Sequence, residues 1–222
     1  FLPIGLIALI VNFFFPLSQN FNNFLLIPIF FFLIETFKKR EIFSLIKINL
    51  LISLLVTIFI SYDNVYRPDA GWYHLPFTKI LNDYKIISGI TSLHPMYGVN
   101  SILQYISASF NNSILNDQGV LLPNALIAIY FFGFFISELL KKNNIFIKKF
   151  FSFFVLSYMF IEANRYSEYG NDIPGLFYFL FVIYSFLGLK KLNISNKEFE
   201  KISLFSIFAF TIKTFLIFIF FI

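Results

Sequence analysis

Seven apolar stretches, at residues 1–17, 24–37, 43–61, 121–140, 150–164, 174–189 and 202–222, make up most of the chain. A helix crosses a bilayer core of about 30 Å with about 20 apolar residues, at about 1.5 Å of rise per residue. Most of these stretches come near that length; the second and fifth are short. Of the 222 residues, 58% are hydrophobic and 13% charged, against roughly 45–50% and about 25% in soluble domains. Phe alone occurs 36 times. A soluble fold of this size could not hide so much apolar surface, whereas a bilayer solvates it directly. The pattern predicts an all-α, polytopic transmembrane helical bundle of about seven spans, a single integral membrane domain over residues 1–222. The chain starts at Phe1 and stops at Ile222, each inside an apolar run, so it reads as a fragment truncated at both ends.

The polar connections set an orientation. Lys38, Lys39, Arg40, Lys47, Lys141, Lys142, Lys148, Lys149, Lys190, Lys191, Lys197 and Lys201 fall on one side of the predicted bundle, twelve of the 17 basic residues. The opposite side holds Arg67, Lys79, Lys85 and Arg165. Basic residues concentrate in cytoplasmic loops, so residues 62–120 are expected to form a long extracytoplasmic loop of a bacterial inner-membrane protein. Asp63, Asp69, Asp83, Asp117, Glu168 and Asp172 then face outward, while Glu35 and Glu138 sit among the cytoplasmic lysines. The net charge of +5 follows from these clusters and requires no nucleic-acid partner. The absence of cysteine excludes disulfides, thiol nucleophiles and zinc–thiolate sites.

The long loop has its own structure. Phe77, Ile80, Leu81 and Tyr84 repeat with helical spacing after Pro76, which suits a first turn. Ile102, Leu103, Ile106 and Phe110 share one face of a second stretch, with Asn100 or Ser101 as its N-cap. Both are too short to span, and both suit amphipathic helices lying on the outer membrane surface, apolar face down.

Within this loop, the densest polar cluster runs from Arg67 to Pro76. An acid a few residues beyond a helix end lies where a lipid headgroup can reach it. Asp69 could therefore act as general base toward a sugar hydroxyl or ligate a divalent cation. Equally, it could cap a loop helix, with Trp72 and Tyr73 as interfacial aromatics. His74 and His94, the chain's two histidines, share the loop; they lack a metal-binding spacing and fit hydrogen bonding to substrate or backbone better. Asp172, at the start of the sixth span, either complements the helix dipole or supplies a second outer acid opposite Asp69. Lys213 sits in the middle of the last span, where a charge costs about 2.5–3.5 kcal/mol. Its partner is either an anionic ligand or Glu162.

Together, Asp69 with Tyr73-His74-Leu75-Pro76, Lys79 to Tyr84, Ser88-Gly89, Leu93-His94, Asn100-Ser101, Asn171-Asp172-Ile173-Pro174 and Thr211-Ile212-Lys213 resemble blocks of a family of bacterial multi-pass membrane proteins similar to C-type glycosyltransferases. The resemblance runs in order from about residue 43 to 215. It implies transfer of a sugar from a polyprenyl-phosphate donor on the outer face of the membrane, for surface polysaccharide, lipid or protein. It further implies Asp69, His74 and Asp172 as catalytic groups, and Lys213, Arg165, Tyr73, His94 and Arg67 as substrate-binding groups. If a divalent metal ion takes part, Asp69 and Asp172 would hold it. The chain lacks the Asp-x-Asp or Glu-x-Asp pair of such enzymes. A transporter or flippase of lipid-linked glycan, or a polysaccharide polymerase, would share the multi-pass architecture. An enzyme should crowd its polar groups at one face, and a transporter should line a path.

Overall fold

The computed structural model describes residues 1–25, 27–28, 50–58, 68–99, 101–162, 165, 169–187 and 196–221. Every regular element among them is helical. Most of the expected span at 24–37 and much of that at 43–61 lie outside these residues; residues 24, 25, 27, 28 and 50–58 are helical.

The chain begins with α1 (Leu2–Asn12). A π-helical turn (Ala70–His74) runs directly into α2 (Leu75–Asp83), with Pro76 in its first turn as the sequence predicts. Next come α3 (Ile102–Ser109), a 3-10 turn (Asn116–Leu121) continuous with α4 (Leu122–Leu140), α5 (Phe146–Ile161), α6 (Asp172–Phe186) and α7 (Asn196–Ile212). After Lys213 the chain tightens into a 3-10 stretch, Thr214–Phe221.

Together, Asn116–Leu140 give 25 continuous helical residues, the one stretch among the described residues that is long and apolar enough to cross a membrane. With 16, 15 and 17 residues, α5, α6 and α7 reach roughly 22–26 Å. They fall short of about 30 Å, although α5 is as long as the stretch expected at 150–164. Asp172 opens α6 and turns to a partner, and Lys213 ends α7 where an unbroken helix was expected.

The main core joins α4 to α7 through aromatic rings. Phe131, Phe132, Phe135, Phe177 and Phe181 are almost wholly buried. Phe131 meets Tyr178 edge-on at 5.0 Å, Phe134 meets Phe181 at 4.9 Å, and Tyr178 meets Phe208 at 4.7 Å. Such pairs add about 0.5–1.5 kcal/mol each beyond burial. On α5, Ser152, Val155, Leu156 and Met159 face inward at helical spacing, while Phe146, Phe150, Phe153 and Phe154 face outward, each more than half exposed.

Of the two loop helices, α2 keeps one face exposed, with Leu75, Lys79 and Asp83 on it, whereas α3 does not lie on a surface with one face free. All eight residues of α3 are buried, Gln104, Ser107 and Ser109 among them. Phe77 and Leu81 of α2 pack with Ala8 and Leu17 of the N-terminal segment and with Tyr105 and Ala108 of α3. Gly5 permits this close approach: a Cβ there would lie 2.6 Å from Ile102 Cγ1 and 2.9 Å from Ile106 Cγ1.

Asparagine side chains bind the segments together. The Nδ2 of Asn22 donates to the carbonyls of Leu17, Ala108 and Asn111 at 2.9, 2.9 and 2.6 Å. Asn82 Nδ2 donates to the Leu17 and Ala108 carbonyls at 2.7 and 2.9 Å. Asn12 Nδ2 reaches the carbonyls of Leu81 and Tyr84 at 3.2 and 3.1 Å, and Asn111 Nδ2 bridges to Asn82 Oδ1 and Asp117 Oδ1, both at 3.0 Å. The last carbonyls of a helix have no partner within it; here buried amides supply partners at the ends of α2 and α3.

Candidate functional site

The π-helical turn rotates its residues so that Tyr73 and His74 join Asp69 on one wall of a cavity of about 240 Å³. Asp69 stands in helical backbone (φ −60°, ψ −35°) and its side chain makes no capping hydrogen bond, which removes the capping role that was its alternative. Trp72 points away, 65% exposed, as an interfacial aromatic would.

The rest of the lining comes from later in the chain. It carries Arg165, Gly170, Asn171 and Asp172 from the entry to α6, and Lys213 and Thr214 from the exit of α7. Lys213 Nζ donates to Asp172 Oδ1. Arg165 lies 3.9 Å from the other carboxylate oxygen of Asp172 and 3.5 Å from Glu162. Thus Lys213 takes Asp172 as its partner, not Glu162, and Asp172 serves both as an acid in the first turn of α6 and as one end of an ion pair. Just before it, Tyr169 adopts a left-handed backbone (φ 59°), costing about 1–3 kcal/mol in a bulky residue; this bend brings Gly170 to Asp172 onto the cavity wall.

His74 is 8% exposed. Burial is the main influence on its imidazole and lowers its pKa from the ordinary 6.5; Asp69 and Asp172 oppose this shift, and Lys213 adds to it. The ring lies 4.2 Å from that of Tyr73, its Nδ1 is 3.5 Å from Gln104 Nε2, and its carbonyl accepts from Thr78 Oγ1 at 2.9 Å.

Asp69, Tyr73, His74, Arg165, Asp172 and Lys213 therefore line one space, although 144 positions separate the first from the last. Two expected members differ. His94 stands outside the lining: its ring stacks on Tyr73 at 6.1 Å and meets Tyr97 at 5.3 Å, and its Nδ1 accepts the Met96 N–H at 3.3 Å. Arg67 lies outside the described residues. Gln104, Asn171 and Thr214 join the lining with no role assigned to them from the sequence; Gln104 had a signal in the Ser-x-x-Gln spacing of a capping box, and Asn171 in its place beside Asp172.

The acids do not fit a resident cation. Both oxygens of Asp172 already face a cation, and among the described residues no group of three His, Cys, Asp or Glu is arranged to hold a metal ion.

A second polar cluster occupies the other end of the same helices. Glu138 of α4 accepts from Lys141 and Tyr184 Oη, and from Asn144 Nδ2 at 3.2 Å. Lys148 and Lys201 lie 5.0 Å from the rings of Tyr184 and Phe181. Between the two clusters the helices are filled by Phe131, Phe177, Tyr178, Phe181 and Phe208.

No curated protein and no solved structure matches the chain. The family model of a domain of unknown function, DUF8201, matches residues 1–222, and the chain belongs to that family.

Proposed function

We propose that the chain is a multi-pass, bacterial inner-membrane glycosyltransferase of C type, taking a sugar from a polyprenyl-phosphate donor on the outer face. The observation that carries this reading is the lining of one cavity, which brings Asp69 and His74 together with Lys213 and Arg165. Cations and an acid in one cavity suit a donor whose phosphate is held by the first while a hydroxyl is deprotonated by the second. In this reading Asp69 is the base, and Lys213 and Arg165 receive the phosphate once Asp172 gives way. Tyr73 offers its ring and hydroxyl to the sugar.

The exposed phenylalanines of α5 and the 25-residue helix at Asn116–Leu140 support a bilayer as the solvent. The full complement of about seven spans would include the segments at 24–37 and 43–61. Against the transporter reading stands the aromatic filling between the two polar clusters. Among the described residues, polar groups gather at separate ends and do not form a path.

The test is a transfer assay with radiolabelled polyprenyl-phosphate sugars, using the full-length gene in membranes. Transfer of label to an acceptor, abolished in Asp69→Asn, is expected. Movement of the lipid-linked glycan across the bilayer without transfer would replace the enzyme reading with the flippase.

A further inference from the structure

Gln104 connects the start of α3 to the cavity. The helix opens with a capping box, in which Ser101 Oγ accepts the Leu103 N–H at 3.2 Å and Gln104 Oε1 accepts the Ser101 N–H at 3.2 Å. That second bond fixes which way the amide of Gln104 faces. Its oxygen is turned back to the backbone, so its NH₂ is the end that meets His74 Nδ1, at 3.5 Å. An NH₂ group has only hydrogens to offer, so Nδ1 must accept. A neutral imidazole with Nδ1 as acceptor carries its proton on Nε2.

We propose that Gln104 is a positioning residue that fixes the tautomer of His74, so that the imidazole presents an Nε2–H donor, and not a basic nitrogen, to whatever occupies the cavity. Three further observations agree with this arrangement. Gln104, Ser101 and His74 are 5%, 2% and 8% exposed, so water does not compete freely for these bonds. The charged groups around the ring, Asp69 and Asp172 against Lys213, partly cancel, and burial favours the neutral ring on which a tautomer is defined. Asp172 shares the cavity, but its two carboxylate oxygens face Lys213 and Arg165, so Asp69 is the carboxylate left to accept a proton while His74 donates. The inference concerns the imidazole itself and holds whether or not the glycosyltransferase reading stands.

The chain has two histidines, so ¹⁵N-histidine labelling of the full-length protein in detergent yields two imidazole signal sets, assigned with His94→Gln. At pH 7.5 His74 is expected to show a protonated Nε2 and a bare, hydrogen-bonded Nδ1. Gln104→Glu keeps an oxygen for the Ser101 N–H, preserving the capping box, but places an acceptor opposite Nδ1. Protonation should move onto Nδ1, with the ring holding one or both protons according to pH. Gln104→Met, which removes the donor at similar length, should give a mixture of tautomers. A wild-type His74 protonated on Nδ1 would overturn the proposal without any variant. So would an unchanged His74 spectrum in folded Gln104→Glu or Gln104→Met protein. No arm requires a substrate, so failure here and failure of the transfer assay remain distinct results.

Discussion

Lys213 reaches Asp172 across 41 residues of sequence, joining the exit of α7 to the entry of α6. The side chains are 33% and 52% exposed, so as a structural element the pair is worth at most about 1 kcal/mol. Its value lies in what it holds ready: an ammonium kept in place by a carboxylate that an anionic ligand can displace.

Lys213→Met should therefore cost little stability but weaken donor binding about 10- to 100-fold, the equivalent of roughly 1.5–3 kcal/mol for a charge-assisted hydrogen bond. Lys213→Arg should recover part of the loss. Glu162→Gln should not rescue Lys213→Met, because Glu162 is paired with Arg165. Donor affinity and thermal stability measured on the same preparations decide the matter; unchanged affinity in Lys213→Met removes the phosphate role.

Asp69→Asn retains size but removes the base, and transfer should fall by about 10²–10⁴-fold with normal insertion. Asp83→Asn is the matched control: Asp83 pairs with Lys79 at 3.3 Å on the exposed face of α2 and should leave activity within about twofold. Equal effects at both positions would return Asp69 to a structural role.

His74 also predicts a pH dependence of stability. Its folded pKa lies below the ordinary 6.5 because burial disfavours the imidazolium. Above that value neither state binds the proton, and the contribution to stability is full. As pH falls below it, the unfolded chain takes a proton that the folded chain resists, so stability drops until the folded pKa is passed. Thermal unfolding between pH 7.5 and 5 should show this fall in the wild type and a shallower one in His74→Gln.

Asn22 is fully buried, and its amide NH₂ shares two hydrogens among three carbonyls within hydrogen-bond distance. Asn22→Leu should destabilise by about 1–3 kcal/mol, since the Asn111 carbonyl loses its buried amide donor while the Leu17 and Ala108 carbonyls keep that of Asn82. Asn22→Asp should be worse, because it turns a carboxylate onto them. Unfolding in denaturant reads both; a neutral Asn22→Leu would mean that water replaces the amide.

Orientation can be read by labelling, since there is no native cysteine. Asn116→Cys should react with an impermeant thiol reagent on intact spheroplasts, and Asn143→Cys only after lysis. The reverse pattern would place the cavity on the cytoplasmic face and exclude an outer-face reaction.

The site was more legible from sequence than the packing around it. Asp69, His74, Arg165, Asp172 and Lys213 stand out because charge and imidazole are rare in so apolar a chain, and the cavity gathers all five. Helical spacing located α2 and α3, but it reports one face only. It could not show that Gln104, Ser107 and Ser109 are buried too, because their partners lie elsewhere in the fold. The asparagines were illegible for the same reason. As composition they look like codon bias, and their role depends on carbonyls up to 89 residues away. The break at Lys213 was hidden because the apolar run continues through it, while the charge it carries turns toward Asp172.

The asparagine bridges make one unit of parts that the sequence keeps far apart. Through Asn12, Asn22, Asn82 and Asn111, the segment after α1, the end of α2, the end of α3 and Asp117 share donors and acceptors. None of these segments can open alone without stranding another's polar groups. Their amides should therefore exchange with deuterium together, at a common and slow rate, while the outward-facing turns around Gly89 exchange early. The Tyr73 and His74 side of the cavity is anchored to that slow block, and α3 ties it to the other side as well: Tyr105 and Ala108 pack with α2, while Ile102, Leu103 and Ile106 pack in the core that holds α6 and α7, so a ligand that moves one side of the site is felt by the other.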